Sequence, residues 1–152
     1  MNLRVAFASD HAAVEMKAAL ADWVRGEGHV VRDLGPHDDA SVDYPDYGYL
    51  LAGTIAAGEA DLGVALCGSG IGIAIALNRH PAVRCALVGE TLSARLARSH
   101  NDANVIAMGA RLIGIEQARE CLATFLATSF LGGRHEGRVA KLSNPRFEKE
   151  PA

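Results

Sequence analysis

Five short apolar runs alternate with five longer helix-like stretches, and a chain built that way has few folds open to it. The runs at 3–8, 29–34, 62–66, 84–88 and 104–108 read as strands. The stretches at 12–25, 47–57, 71–78, 91–98 and 115–130 read as helices, with the acidic segment 37–46 and its Tyr44-Pro45 pair as a loop. A strand that feeds a helix and then another strand makes a right-handed crossover, so the alternation predicts an α/β fold: one doubly wound, three-layer αβα domain around a five-stranded parallel sheet of order 2-1-3-4-5. Composition agrees, because 49% hydrophobic residues with only 5% aromatics means Ala, Val, Leu and Ile, which suit strands covered on both faces. A length of 152 residues fits a single domain, with 132–152 as a polar, basic tail that packs on a partner subunit. The residues after about 140, with Pro145 and Pro151 among charges, read as a loose end or a minor interface.

A formal net charge of -3 provides no basic field, which argues against nucleic acid or an anionic membrane as partner. No stretch approaches the ~18 apolar residues of a membrane span, and the expected location is the cytoplasm. The three cysteines, Cys67, Cys85 and Cys121, lack the paired spacing of a zinc or redox site, and no two histidines stand three or four residues apart, so no metal site is expected. Cys85 in its strand and Cys121 in its helix read as small buried hydrophobes.

In a doubly wound sheet, ligands bind outside the carboxyl ends of the strands. The segments that land there are Ser9-Asp10-His11, Cys67 through Gly72, Gly89-Glu90 and Gly109-Ala110-Arg111. Gly68, Gly70 and Gly72 let backbone N–H groups approach an anion at the start of a helix. The turn has part of a dinucleotide fingerprint, with Glu90 as the distal acid, but Ile73 fills the third glycine position and the turn follows the third strand, which speaks against a nicotinamide. Cys67 ends its strand at that turn, the setting in which a thiolate can serve as a base. His11 and His100, both read as loop residues, suit proton transfer. Arg111, with Arg134 and Arg138 four residues apart in the tail, suits phosphate. Together these features point to proton chemistry on a small phosphorylated substrate.

Several segments carry a resemblance: Ser9-Asp10-His11-Ala12, Asp43-Tyr44-Pro45, Cys67-Gly68-Ser69-Gly70-Ile71-Gly72-Ile73-Ala74, His100-Asn101-Asp102-Ala103-Asn104-Val105, Met108-Gly109-Ala110-Arg111, Gly132-Gly133-Arg134-His135 and Arg138-Val139. In order and spacing they resemble the ribose-5-phosphate isomerase B family, which includes galactose-6-phosphate isomerase subunits. The resemblance implies interconversion of ribose 5-phosphate and ribulose 5-phosphate through a cis-enediolate, with no cofactor. It implies Cys67 as the base, and backbone N–H groups of Gly68, Gly70, Ile71 and Gly72 around the enediolate oxygens. His100, assisted by Asp10 and Ser69, would open the ring and move protons on oxygen. His11, Arg111, Arg134 and Arg138 would hold the phosphate, with Asn101 and Tyr44 orienting the sugar. Other members use a glutamate further along the turn as base, and that position is Ile73 here.

Three departures bear on specificity: Ala13-Val14 where the family often has Gly and an aromatic, Ser69 where many members have Thr, and Asn78-Arg79 where Asn-Lys is common. They leave a six-carbon substrate open, allose 6-phosphate or galactose 6-phosphate. The resemblance also implies a homodimer or homotetramer with shared active sites, in which His100, Asn101 and Arg111 act on a partner's Cys67. A non-catalytic sugar-phosphate-binding protein is the alternative outside enzymes, and it would have no use for Cys67 and His100 together.

Overall fold

Strands that are apolar on both sides need cover on both faces, and the alternation supplies it. In the computed structural model, which describes residues 2–149, β1 (Arg4–Ser9), β2 (Val30–Asp33), β3 (Leu62–Cys67), β4 (Cys85–Leu87) and β5 (Val105–Gly109) form one parallel sheet. α1 (Val14–Gly26), α4 (Thr91–Asn101) and α5 (Ile115–Ala127) cover one face, while α2 (Tyr44–Ala56) and α3 (Ile71–Leu77) cover the other. Val5 and Phe7 of β1 pack on the first side with Leu20, Val24 and Phe125. Ala6 and Ala8 point the opposite way, toward Leu51, Ile55 and Ile73.

The three-layer αβα domain stands as expected, but the strand order is β2-β1-β3-β5-β4, so the expected 2-1-3-4-5 is corrected at one edge. β5 is buried along its whole length and takes the inner place beside β3, while the three-residue β4, with Leu87 46% exposed, takes the rim. Handedness then fixes the helices. The chain crosses outward from β3 to β4 over α3 and returns to β5 over α4, and a right-handed crossover run in reverse lies on the opposite face. At the start of the outer rim the Asn78 side chain occupies the free backbone groups of Cys85, accepting from its N–H at 2.8 Å and donating to its carbonyl at 2.9 Å.

Three element limits move by three residues. α2 starts at Tyr44, because Pro45 falls in the first helical turn, where its missing N–H leaves nothing unpaired. α4 runs on through His100 and Asn101 to a left-handed Asp102 (φ 45°), so His100 is a helical residue. α5 stops at Ala127. The tail does become helical, as α6 (Glu136–Ser143) after a short 3-10 turn at Gly133–His135, and α6 has no buried residue. Residues 150–152, with Pro151, lie outside the described part.

Candidate active site

The helices that follow β1 and β5 lie on one face of the sheet and the helix that follows β3 lies on the other. Crevices therefore open on both sides of the carboxyl end of β3, and Cys67 ends that strand. Its thiol is buried, 4% exposed, and Sγ accepts the N–H of Gly70 at 3.0 Å. Gly70 has a left-handed φ of 77°, and a Cβ there would fall 2.7 Å from the Met108 carbonyl carbon, so the turn tolerates only glycine at this position. Ser69 Oγ accepts the Ile71 N–H at 3.2 Å, which closes the turn onto α3.

The neighbouring segments converge on this turn. The N–H groups of Ala110 and Arg111 donate to the carbonyls of Cys67 and Gly68, both at 2.9 Å, and the Arg111 guanidinium lies along Gly68. The structure thus places Arg111 beside the glycine-rich turn of its own chain, where the resemblance implied that it acts on a partner's Cys67. The N–H of Asp10 donates to the Leu66 carbonyl at 3.1 Å, and its carboxylate accepts the Ala12 N–H at 3.0 Å. His11 Nδ1 meets the Val42 backbone, 3.1 Å from its N–H and 3.2 Å from its carbonyl oxygen, which anchors the ring at this edge and leaves Nε2 unengaged by that backbone. The Tyr44 ring, carried on the first turn of α2, fills the space that a Cβ at Gly72 would need. Asp10, His11, Tyr44, Cys67, Gly68, Ser69, Gly70, Ile71, Gly72 and Arg111 all belong to this one edge.

His100 and Asn101 do not. α4 starts beyond β4 at the carboxyl edge and ends at the amino edge, where Asn101 lines a cavity of about 360 Å³ with Arg84, Ala103 and Leu142. Arg134 and Arg138 join them there. The rings of His100 and His135 stack with centroids 4.3 Å apart and planes 15° from parallel, and His135 is 8% exposed. Burial first, and then the charges of His100, Arg134 and Arg138, hold His135 below its ordinary pKa of 6.5. β5 alone puts about 13 Å between the two edges, farther than a five-carbon sugar phosphate spans. The residues singled out in the sequence therefore fall into two groups, at opposite edges of the sheet.

Sequence reasoning missed His135, which stacks on His100, and Val42, whose backbone N–H and carbonyl both lie within hydrogen-bond distance of His11 Nδ1. The only sequence signal for the first was its place in Gly132-Gly133-Arg134-His135. The dinucleotide reading fails on the same geometry: Ile73 is fully buried, and Glu90 sits beyond the rim strand, where its carboxylate caps α4 by accepting the Ser93 N–H at 2.9 Å. Burial pushes the Cys85 thiol up to about 12, while Cys121 is buried in α5. No helix among the described residues is long and apolar enough to cross a membrane.

A doubly wound domain with a glycine-rich turn at the carboxyl edge of its sheet belongs to the class of α/β proteins that take small molecules at that edge. Residues 5–142 match the family model described as Ribose/Galactose Isomerase. Ribose-5-phosphate isomerase B of Escherichia coli is 36% identical over 140 residues, 92% of this chain and 94% of that one. The structure is similar to a ribose 5-phosphate isomerase of Thermotoga maritima, with a TM-score of 0.92, 46% identity and coverage of 95% and 99% of the two chains. Ribose-5-phosphate isomerase B of Clostridium thermocellum gives a TM-score of 0.92 at 40% identity, covering 93% and 96%. The chain belongs to the ribose/galactose isomerase family and is an aldose–ketose isomerase of the ribose-5-phosphate isomerase type.

Proposed function

We propose that the chain interconverts ribose 5-phosphate and ribulose 5-phosphate, with Cys67 as the base. The observation that carries this reading is the Cys67 sulfur, held in an acceptor role by the Gly70 N–H at 3.0 Å, at the foot of a turn lined by the Arg111 guanidinium. A thiolate there takes the proton from C2 of the open-chain aldose. The electron pair of that C–H bond forms the C1–C2 double bond, and the carbonyl pair moves onto O1. The resulting enediolate lies against the N–H groups of Gly68, Gly70, Ile71 and Gly72. As the same proton returns from sulfur to C1, the electron pair of the O2–H bond forms the C2 carbonyl and the O2 proton passes by way of His100 to O1, which gives the ketose and regenerates the thiolate. No cofactor or metal ion takes part, and the reaction belongs in the cytoplasm.

Ring opening falls to His100, assisted by Asp10 and Ser69, and the phosphate to His11, Arg111, Arg134 and Arg138, with Tyr44 and Asn101 on the sugar. Because the two halves lie at opposite edges of one sheet, the complete site forms between two copies, as a homodimer or as the dimeric unit of a homotetramer. The face between the halves supports this arrangement. α3 runs from one edge to the other with Ile71 and Ile75 half exposed, beside the exposed Leu87 of β4. A two-fold axis through that face brings each carboxyl-edge turn against the partner's amino-edge cluster.

The test is turnover of ribose 5-phosphate by purified protein, run beside allose 6-phosphate and galactose 6-phosphate, with a Cys67→Ala variant. Turnover of the five-carbon sugar that the variant loses supports both reaction and base. Preference for a six-carbon sugar keeps the chemistry and changes the substrate. No turnover of any of the three overturns the reading in favour of a sugar-phosphate-binding protein.

A further inference from the structure

His135 has no place in the isomerisation chemistry as drawn, yet the chain takes trouble to bury it. Gly132 and Gly133 both have positive φ, 67° and 57°, which favours glycine at each, and they redirect the chain after α5. The Leu131 N–H donates to the Ser99 carbonyl at 3.0 Å, and the Arg98 guanidinium donates to the Thr128 carbonyl at 3.3 Å. Segment 128–135 is thereby fastened to the last turn of α4, and the His135 ring is laid face to face on His100. His100 is the penultimate residue of that helix, where fraying would otherwise leave its ring free to turn.

We infer that His135 is a positioning residue, a buried ring that fixes the plane of the His100 imidazole for proton transfer. The role rests on the isomerase reading, in which His100 moves the protons on oxygen. Two stacked imidazoles 4.3 Å apart repel strongly when both are charged, so a plate under a working histidine has to stay neutral. The groups that face His135 are His100 from α4, Arg134 from its own turn and Arg138 from α6, all cationic or able to become so. Burial and these groups disfavour the charged form of His135 while His100 exchanges protons. A phenyl ring would do the same work, and an aliphatic side chain would not.

The experiment compares His135→Phe and His135→Leu with the unaltered protein in three measurements. These are kcat and KM for ribose 5-phosphate, thermal unfolding, and the imidazole proton signals of His100 by NMR, which need no substrate. The expected result is kcat within about 2-fold of the unaltered value for the Phe variant, and a loss of about 10-fold or more for the Leu variant with KM changed by less than about 3-fold. The His100 ring signals should move downfield in the Leu variant, as the ring current above them is lost, and hold their place in the Phe variant. Equal kcat in the two variants overturns the inference, as does a Leu variant whose His100 signals stay where they were. If the unaltered protein turns over no sugar phosphate, the isomerase reading falls instead, and the His100 signals still decide whether His135 fixes that ring.

Discussion

Gly109 ends β5 where a Cβ would stand 2.5 Å from the Ser69 carbonyl oxygen and 2.6 Å from its carbon. Ordinary contact begins near 3.4 Å, and the obstacle is backbone, which cannot swing aside as a flexible side chain can. A Gly109→Ala variant must therefore push the glycine-rich turn away from β5 by about 1 Å. That displacement stretches the bonds from the Ala110 and Arg111 N–H groups to the Cys67 and Gly68 carbonyls from 2.9 Å beyond bonding range. Losing two such bonds costs about 1–3 kcal/mol, and moving the base by about 1 Å costs up to ~100-fold in kcat/KM. The variant should melt some 3–10 °C lower at this chain length, with kcat/KM down by at least about 10-fold. Gly53→Ala is the control, since that position has nothing within 4 Å and lies inside α2, where Ala should be neutral or stabilising by about 0.5–1 kcal/mol. A Gly109→Ala protein with unaltered melting and unaltered kcat/KM would refute the argument that this contact sets the turn.

The Lys17 ammonium is almost wholly buried and reaches both Asp33 oxygens, at 2.6 and 2.8 Å, so Lys17→Met should cost about 3 kcal/mol by stranding the carboxylate. Adding Asp33→Asn should recover more than half of the loss in a urea titration, and no recovery would show that the damage is packing alone. The depressed pKa of His135 also predicts a stability slope. The unfolded chain binds the proton more tightly, so this contribution is complete above pH 6.5 and is lost as pH falls from there through the lower folded value. Urea midpoints at pH 8 and pH 5.5 should differ more for the unaltered protein than for His135→Phe, and equal differences would contradict the assignment.

The fold was legible in the sequence because each apolar run has the same job on both faces, and only a parallel sheet with helices on each side uses such runs. The order at the far rim was not. Leu87 is apolar and yet exposed, so 84–88 looks as fit for an inner position as 104–108. An apolar residue reads the same in the sequence whether it is buried or exposed. His100 was read as a loop residue because Ser-His-Asn-Asp is a run of poor helix formers, but the Ser99 hydroxyl donates to the Arg95 carbonyl at 2.9 Å and Arg98 donates to Asp102 at 3.0 Å, which carries the last turn on. Tyr44-Pro45 misled in the other direction, since proline breaks a helix interior and suits its first turn. The residue types at the candidate site were all visible. Their division between opposite edges was legible for His100 and Asn101, which just precede a strand, and for Arg111, which follows one.

The measurement that bears most directly on a site shared between two copies is complementation between two inactive variants, Cys67→Ala and His100→Asn. Dissociated, mixed in equal amounts and reassociated at random, half of the dimers carry one variant chain of each kind. If Cys67 of one copy works with His100 of the other, each such dimer has one site with both defects and one with none, and the mixture should recover about a quarter of the unaltered activity. If each chain completes its own site, every site in the mixture keeps one defect, and a mixture no more active than its two parents would contradict the account.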